Sequence, residues 1–152
     1  MNKYILLLGI TLLLANCQQT IQPTNSNLKE AYQDAFLIGS AVNRSIVSGR
    51  DQSSLETVIQ QFNTITSENV LKAGSINPQP AIYNFTPADE FVEFGERNNM
   101  FIIGHTLVWH NQTPDWFFQD ENGNPKTREA LITRMREHIQ TVAGRYAGRI
   151  NT

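Results

Sequence analysis

With 152 residues, a net charge of −2 and 17% charged residues, the chain has an ordinary globular composition and the length of one domain or part of one. No basic block or acidic tail offers a surface for nucleic acid, so none is expected as a partner. A single cysteine excludes a disulfide framework and a zinc-finger framework.

The first element reads as a leader. Lys3 precedes an apolar run from Tyr4 to Ala15. That run is too short for a stable membrane-spanning helix, which needs roughly 20 residues, but it has the length of a signal-peptide core. It closes on Leu14-Ala15-Asn16-Cys17, and small residues before a lone cysteine resemble the lipobox of bacterial lipoproteins. Asn16 departs from the Gly or Ala usual there. The expectation is a signal peptide over 1–16, lipidation at Cys17, and an exported chain held at the bacterial outer membrane or cell surface through its lipid. An ordinary signal peptide with an incidental cysteine would leave the chain secreted or periplasmic. After Cys17 the polar stretch to residue 27 reads as a tether.

Beyond the tether, Asn27 and Glu30 form a capping-box pattern ahead of a short helix. FLIGSAV (36–42) is an apolar run of strand length. Ser53 and Glu56 form a second capping pair, and Leu55, Val58, Ile59 and Phe62 follow at helical spacing. TITSEN (64–69) is a short β-branched stretch, and AGSINPQPAIYN (73–84) reads as a loop. Thr86-Pro87 opens a helix with Ala88, Phe91, Val92 and Gly95 on one face. MFIIGHTLV (100–108) is the clearest strand. A loop with a turn at Asn122-Gly123 follows. Thr127 opens a long helix whose core stripe is Leu131, Met135, Ile139, Val142 and Tyr146, ending at Gly144 or Gly148.

The order is β-α-β-α-β-α. Buried-type strands alternating with helices predict parallel pairing with right-handed crossovers, both sheet faces covered. Three units are few: a flavodoxin-like sheet commonly needs five strands, and a (β/α)8 barrel needs eight in about 250 residues. A further strand is expected after GRYAGRINT. Phe91, Phe94 and Phe101 are expected in the core. His138 is expected to be solvated on a charged helix, and Asp89, Glu90, Glu93 and Glu96 to lie on a solvated helix face.

Chemistry gathers in GHTLVWHNQTPDW (104–116), which holds two of the three histidines and both tryptophans. Strand alternation puts His105, Leu107 and Trp109 on one face and Thr106, Val108 and His110 on the other. The two imidazoles therefore should not share a metal, and the segment offers too few ligands for zinc. Glu68-Asn69 and the His105–Gln112 segment both follow predicted parallel strands, the end where such sheets bind ligands. An indole beside imidazole, amide and carboxylate groups suits a sugar, with the ring on its apolar face and the polar groups on its hydroxyls.

The segments FNTITSENVLK, IYNFTPADEFVEFGERNNMFIIGHTLVWHNQTPDWFF and VAGRYAGRI resemble the N-terminal half of family 10 glycoside hydrolases, the endo-1,4-β-xylanases, over Leu28 to Ile150. The resemblance implies an α/β fold, a (β/α)8 barrel of which residues 28–152 supply about the first three β/α units. It implies that Glu68, Asn69 and Lys72, matching the family's T-x-E-N-x-x-K segment, bind sugar hydroxyls on the non-reducing side of the scissile bond. His105 and Trp109 match residues around the sugar at the cleavage point, and Gln112 a further polar contact. His110 and Trp116 are expected to be structural. No cofactor and no metal are implied.

Two departures stand out. Ala73 occupies a position where the family usually has tryptophan, and Gly74 is also atypical. The family's acid/base glutamate lies in a W-D-V-V-N-E-type strand just after the counterpart of GRI, and its nucleophile further on, so both are expected beyond Thr152. Retaining glycosidases need two carboxyl groups about 5–5.5 Å apart, and Glu68 is the one carboxylate at the ligand end of a predicted strand. The expectation is an endo-xylanase whose 152-residue chain is inactive alone. Its partners would be xylan or xylo-oligosaccharides, the missing C-terminal half of the barrel, and a membrane through the lipid. The alternative is a non-catalytic xylan-binding lipoprotein or a pseudogene remnant.

Overall fold

The computed structural model describes residues 27–152. The expected signal peptide, Cys17 and the tether up to residue 26 lie outside the described residues. A short helix α1 (Leu28–Ala31) leads into strand β1 (Gly39–Val42). Helices α2 (Arg44–Val47) and α3 (Gln52–Gln61) carry the chain to β2 (Thr64–Ser67). Helices α4 (Ala73–Ile76) and α5 (Thr86–Arg97) carry it to β3 (Phe101–Ile103), and α6 (Arg128–Arg145) follows. The three strands pair in parallel in the order β1-β2-β3, with Gly39 opposite Thr64 and Thr64 opposite Phe101. The alternation of strand and helix dictates this, because parallel neighbours need a crossover between them.

The core lies between the sheet and α5. Ile65 and Ile102, paired at the strand centres, are fully buried. Ala88, Phe91, Val92 and Gly95 bury the predicted face of α5. Gly95 sets how closely that helix approaches: a Cβ there would stand 2.6 Å from Ile102 Cγ1 and 3.1 Å from Ile65 Cδ1. The caps are short polar side chains. Asn27 accepts from Glu30 N–H at 3.0 Å, and Thr127 accepts from Ala130 N–H at 3.3 Å.

Several sequence expectations need correction. Helix α3 is capped by Asp51, which accepts from Ser54 N–H at 3.1 Å, and not by the Ser53–Glu56 pair. Glu56 instead accepts from the Gln52 side chain. The 73–84 loop begins with the short helix α4. The strand at 36–42 is shorter than its apolar run, leaving Phe36 and Leu37 exposed. The strand expected over 100–108 ends at Ile103, where the ladder with β2 closes on the Thr66–Ile103 pair and β2 itself ends at Ser67. The alternation argument for His105 to His110 does not hold past Ile103. On its other edge β3 meets the chain's last residues: Asn151 N–H donates to Ile102 O, and Gly104 N–H donates to Thr152 O.

The largest correction concerns α6. Met135 is 38% exposed, and Leu131 and Ile139 are only half-buried. The expected stripe holds at its C-terminal end, where Val142 and Tyr146 are buried, but its first half shifts by one residue to Arg134 and His138, which continue that face at a spacing of four. His138, expected in solvent, is 1% exposed. The acidic residues of α5 are also not a bare solvated face. Asp89 takes a bidentate contact from Arg145 at 2.9 and 2.5 Å and the Tyr146 hydroxyl at 2.9 Å. Glu96 does the same with Arg149, and Glu90 pairs with Arg44. The Arg145 guanidinium holds the Asp89 carboxyl below its usual range, while burial and Asp89 push the Tyr146 phenol up.

Candidate sugar-binding site

Glu68 and Asn69 leave β2 in a tight turn. Lys72 N–H donates to Asn69 O at 3.0 Å, which puts the two side chains on one side of the turn. Lys72 Nζ then donates to Asn69 Oδ1 at 3.0 Å and to Gln112 Oε1 at 2.5 Å. Gln112 Nε2 closes the ring by donating to Asn69 Oδ1 at 3.1 Å. Three of the expected site residues, 43 positions apart at the extremes, thus share one network.

Trp109 joins them, with Lys72 Nζ 5.0 Å from the centre of its ring. His105 lies with its ring centre 6.2 Å from that of Trp109 and stays exposed. His110 packs edge-on to the same indole at 5.2 Å. The Trp109 carbonyl accepts from the Thr113 hydroxyl, which fixes the loop behind the ring. Trp116 serves packing: its Nε1 donates to Asn77 O at 3.3 Å and Arg134 covers its face at 4.5 Å.

Gly74, atypical in sequence, has a clear job. Its N–H donates to Gln112 O at 2.9 Å, and a Cβ there would come within 2.8 Å of that oxygen. The two loops meet backbone to backbone, as only glycine allows. Ala73 beside it is buried. The positive φ of 56° at Gln112 aims its side chain back toward Asn69 and Lys72.

Glu68 stands apart from the network. It lines a cavity of about 360 Å3 with Asn43, Arg44, Ser45, Arg50, Asn69 and Val70, at the C-terminal end of β1. Asn43 and Arg50 escaped the sequence reading. The rule that flagged Glu68 and His105, polar groups just after a parallel strand, also applies to Asn43. Among the described residues no cluster of three His, Cys, Asp or Glu side chains could hold a metal ion, and no helix is long and apolar enough to cross a membrane.

The arrangement is a wall of side chains at the C-terminal end of a parallel sheet, with an indole face and a row of amide, ammonium and carboxylate groups. The family model for glycosyl hydrolase family 10 matches residues 27–152. Endo-1,4-beta-xylanase A of Thermotoga maritima is 42% identical over 127 residues, which are 81% of this chain and 12% of that protein. Endo-1,4-beta-xylanase A of Caldicellulosiruptor saccharolyticus is 40% identical over 128 residues, 84% of this chain and 36% of that one. Among solved structures, a family 10 endoxylanase retrieved from a sugarcane soil metagenome aligns with a TM-score of 0.76 at 42% identity, covering 82% of this chain and 37% of its own. Xylanase 10B of Thermotoga petrophila, solved in complex with xylobiose, aligns at 0.75 with 38% identity, covering 85% of this chain and 39% of its own. The chain therefore spans well under half the length of these relatives. Their fold is a (β/α)8 barrel, and β1, β2 and β3 are a partial sheet of it. Matched from Asn27 to Thr152, the chain belongs to glycosyl hydrolase family 10.

Proposed function

We propose that this chain is the sugar-gripping part of an endo-1,4-β-xylanase acting on xylan or xylo-oligosaccharides. The observation that carries the reading is the network of Asn69, Lys72 and Gln112 closed beside the Trp109 ring. An ammonium and two amides present donors and acceptors in fixed directions, which suits vicinal hydroxyls. The indole supplies the flat apolar surface a pyranose needs. Glu68 adds a carboxylate acceptor on the side of β1. The relatives named above are endo-1,4-β-xylanases, which agrees with this chemistry.

Retaining hydrolysis takes two carboxyl groups about 5–5.5 Å apart, one as nucleophile and one as acid/base. In this reading both belong to the part of the barrel that the chain does not span, and Glu68, Asn69, Lys72, His105, Trp109 and Gln112 bind rather than cleave. The test is a titration of the chain with xylotetraose, followed by tryptophan emission and by reducing-end assay. Saturable binding is expected. Trp109→Ala should weaken it at least tenfold, about 1.4 kcal/mol, with no new reducing ends in either protein. No binding would sink the reading, and release of reducing ends by the chain alone would sink its non-catalytic half.

The leader supports an exported lipoprotein, with Cys17 as the lipidated residue. Cys17→Ser should abolish incorporation of labelled fatty acid and move the protein from the membrane to the soluble fraction. Unchanged labelling would overturn this anchor.

A further inference from the structure

His138 is buried, and neither ring nitrogen has a hydrogen-bond partner among the described residues. Its ring meets Phe117 edge-on, with centres 5.4 Å apart and planes at 80°. Leu107 lines a cavity with Val142, Ala143 and Tyr146, further along the same helix. Leu107 lies between His105 and Trp109, and Phe117 lies five residues past Gln112. The helix that carries the imidazole thus meets both ends of the segment that carries Trp109 and Gln112. One helical turn earlier, Arg134 donates to the carbonyls of Trp116 and Phe117 and covers the Trp116 ring. The site segment is gripped from behind by α6.

We propose that His138 is a positioning residue for the sugar-binding loop: its neutral ring clamps Phe117 at the end of that loop, and protonation loosens that clamp and weakens sugar binding. The sugar part rests on the function proposed above; the clamp does not. The titratable and charged groups around the ring are Arg134 and Glu137 from α6 and Tyr83 from the 77–85 loop, which line a cavity of about 350 Å3 together with His138 and Trp116. Glu137 is exposed and makes no ion pair with the imidazole. A proton on His138 would place a second cation beside the Arg134 guanidinium, in a site where burial already disfavours charge.

The test is made on the full chain, labelled with nitrogen-15. The Trp116 indole N–H donates to Asn77 O and so reports the loop directly. Its resonance, assigned with Trp116→Phe, is followed with the His138 ring signal from about pH 7.5 down to the pH at which that ring has taken its proton, which burial moves below the ordinary imidazole range. In the wild type the indole signal should move in step with His138. In His138→Phe, which keeps an aromatic ring edge-on to Phe117, it should stay fixed. An indole signal that holds still while His138 protonates would overturn the proposal, as would global unfolding with no earlier local step. Both are read from the wild type, so a variant that fails to fold does not block the test. Xylotetraose affinity should also fall about tenfold across that range in the wild type and stay within about twofold in His138→Phe. Affinity equal at both pH values would overturn the clamp and leave the sugar site standing. Absence of binding near neutral pH would remove the sugar-binding reading, while the indole signal still decides the clamp.

Discussion

Helices α5 and α6 lie on the same small body and are held in opposite ways. The 12 residues of α5 bury Ala88, Phe91, Val92, Phe94 and Gly95 against the sheet. The 18 residues of α6 bury only His138 and Val142, with Tyr146 at the cap. What α6 lacks in apolar contact it makes up with polar side chains: Arg134 on the site loop, Arg145 on Asp89, and Arg149 on Glu96 just beyond the helix. Apolar burial is worth roughly 25 cal/mol per Å2 and does not depend on pH. Ion pairs and a buried imidazole are worth less and do. The difference teaches that the scaffold rests on α5, while the helix behind the site loop is the one that solution conditions can loosen.

The comparison can be broken at its strong side first. Phe91→Ala empties the centre of the α5 interface and should cost about 3–5 kcal/mol in equilibrium urea unfolding. A loss below about 1 kcal/mol would mean that α5 is not the scaffold. Gly95→Val forces a side chain into Ile102 and should cost about 3 kcal/mol. If its midpoint matches wild type, the close approach of helix and sheet is not needed.

The polar side should show itself in pH. Tyr146 is held protonated in the fold, above its ordinary value. Above the unfolded pKa of about 10, the unfolded chain loses a proton that the folded chain keeps. Stability should therefore fall by about 1.4 kcal/mol per pH unit there. Tyr146→Phe should remove that slope, and an identical slope in the variant would show that Tyr146 does not cause it. Asp89 works from the acid side. Its folded pKa is lowered, so its contribution is present above about pH 3.9 and lost as pH falls toward the folded value. Asp89→Asn should cost about 1 kcal/mol at neutral pH, a figure kept small because Arg145 is exposed to solvent. The smallest effect belongs to Met135→Ala, which should stay within about 0.5 kcal/mol. A larger loss would return Met135 to the core stripe.

Much of the scaffold was legible in the sequence because its signals are local. The i, i+3, i+4, i+7 face of α5, the Asn27 and Thr127 caps and the alternation of strand and helix need no knowledge of distant residues. The failures arise where a distant partner decides. MFIIGHTLV is apolar enough to read as one strand, yet it pairs only as far as β2 reaches. On α6 two lines of residues run side by side. Composition favours Leu131, Met135 and Ile139, whereas packing against the site loop selects Arg134 and His138. The candidate site residues were singled out through their resemblance to a family. Nothing in the residues alone said that Lys72 and Gln112 would touch, since a contact 40 positions apart depends on how two loops meet.

That meeting has a consequence for anyone wishing to alter the wall. The spacing between the Asn69–Lys72 turn and the Trp109–Gln112 loop is set by main-chain atoms, Gly74 N–H on Gln112 O. On the proposed sugar-binding function, the side chains at 69, 72 and 109 are an alphabet of recognition and this main-chain contact is part of the page on which they are written. A methyl group at position 74 would shift the page itself.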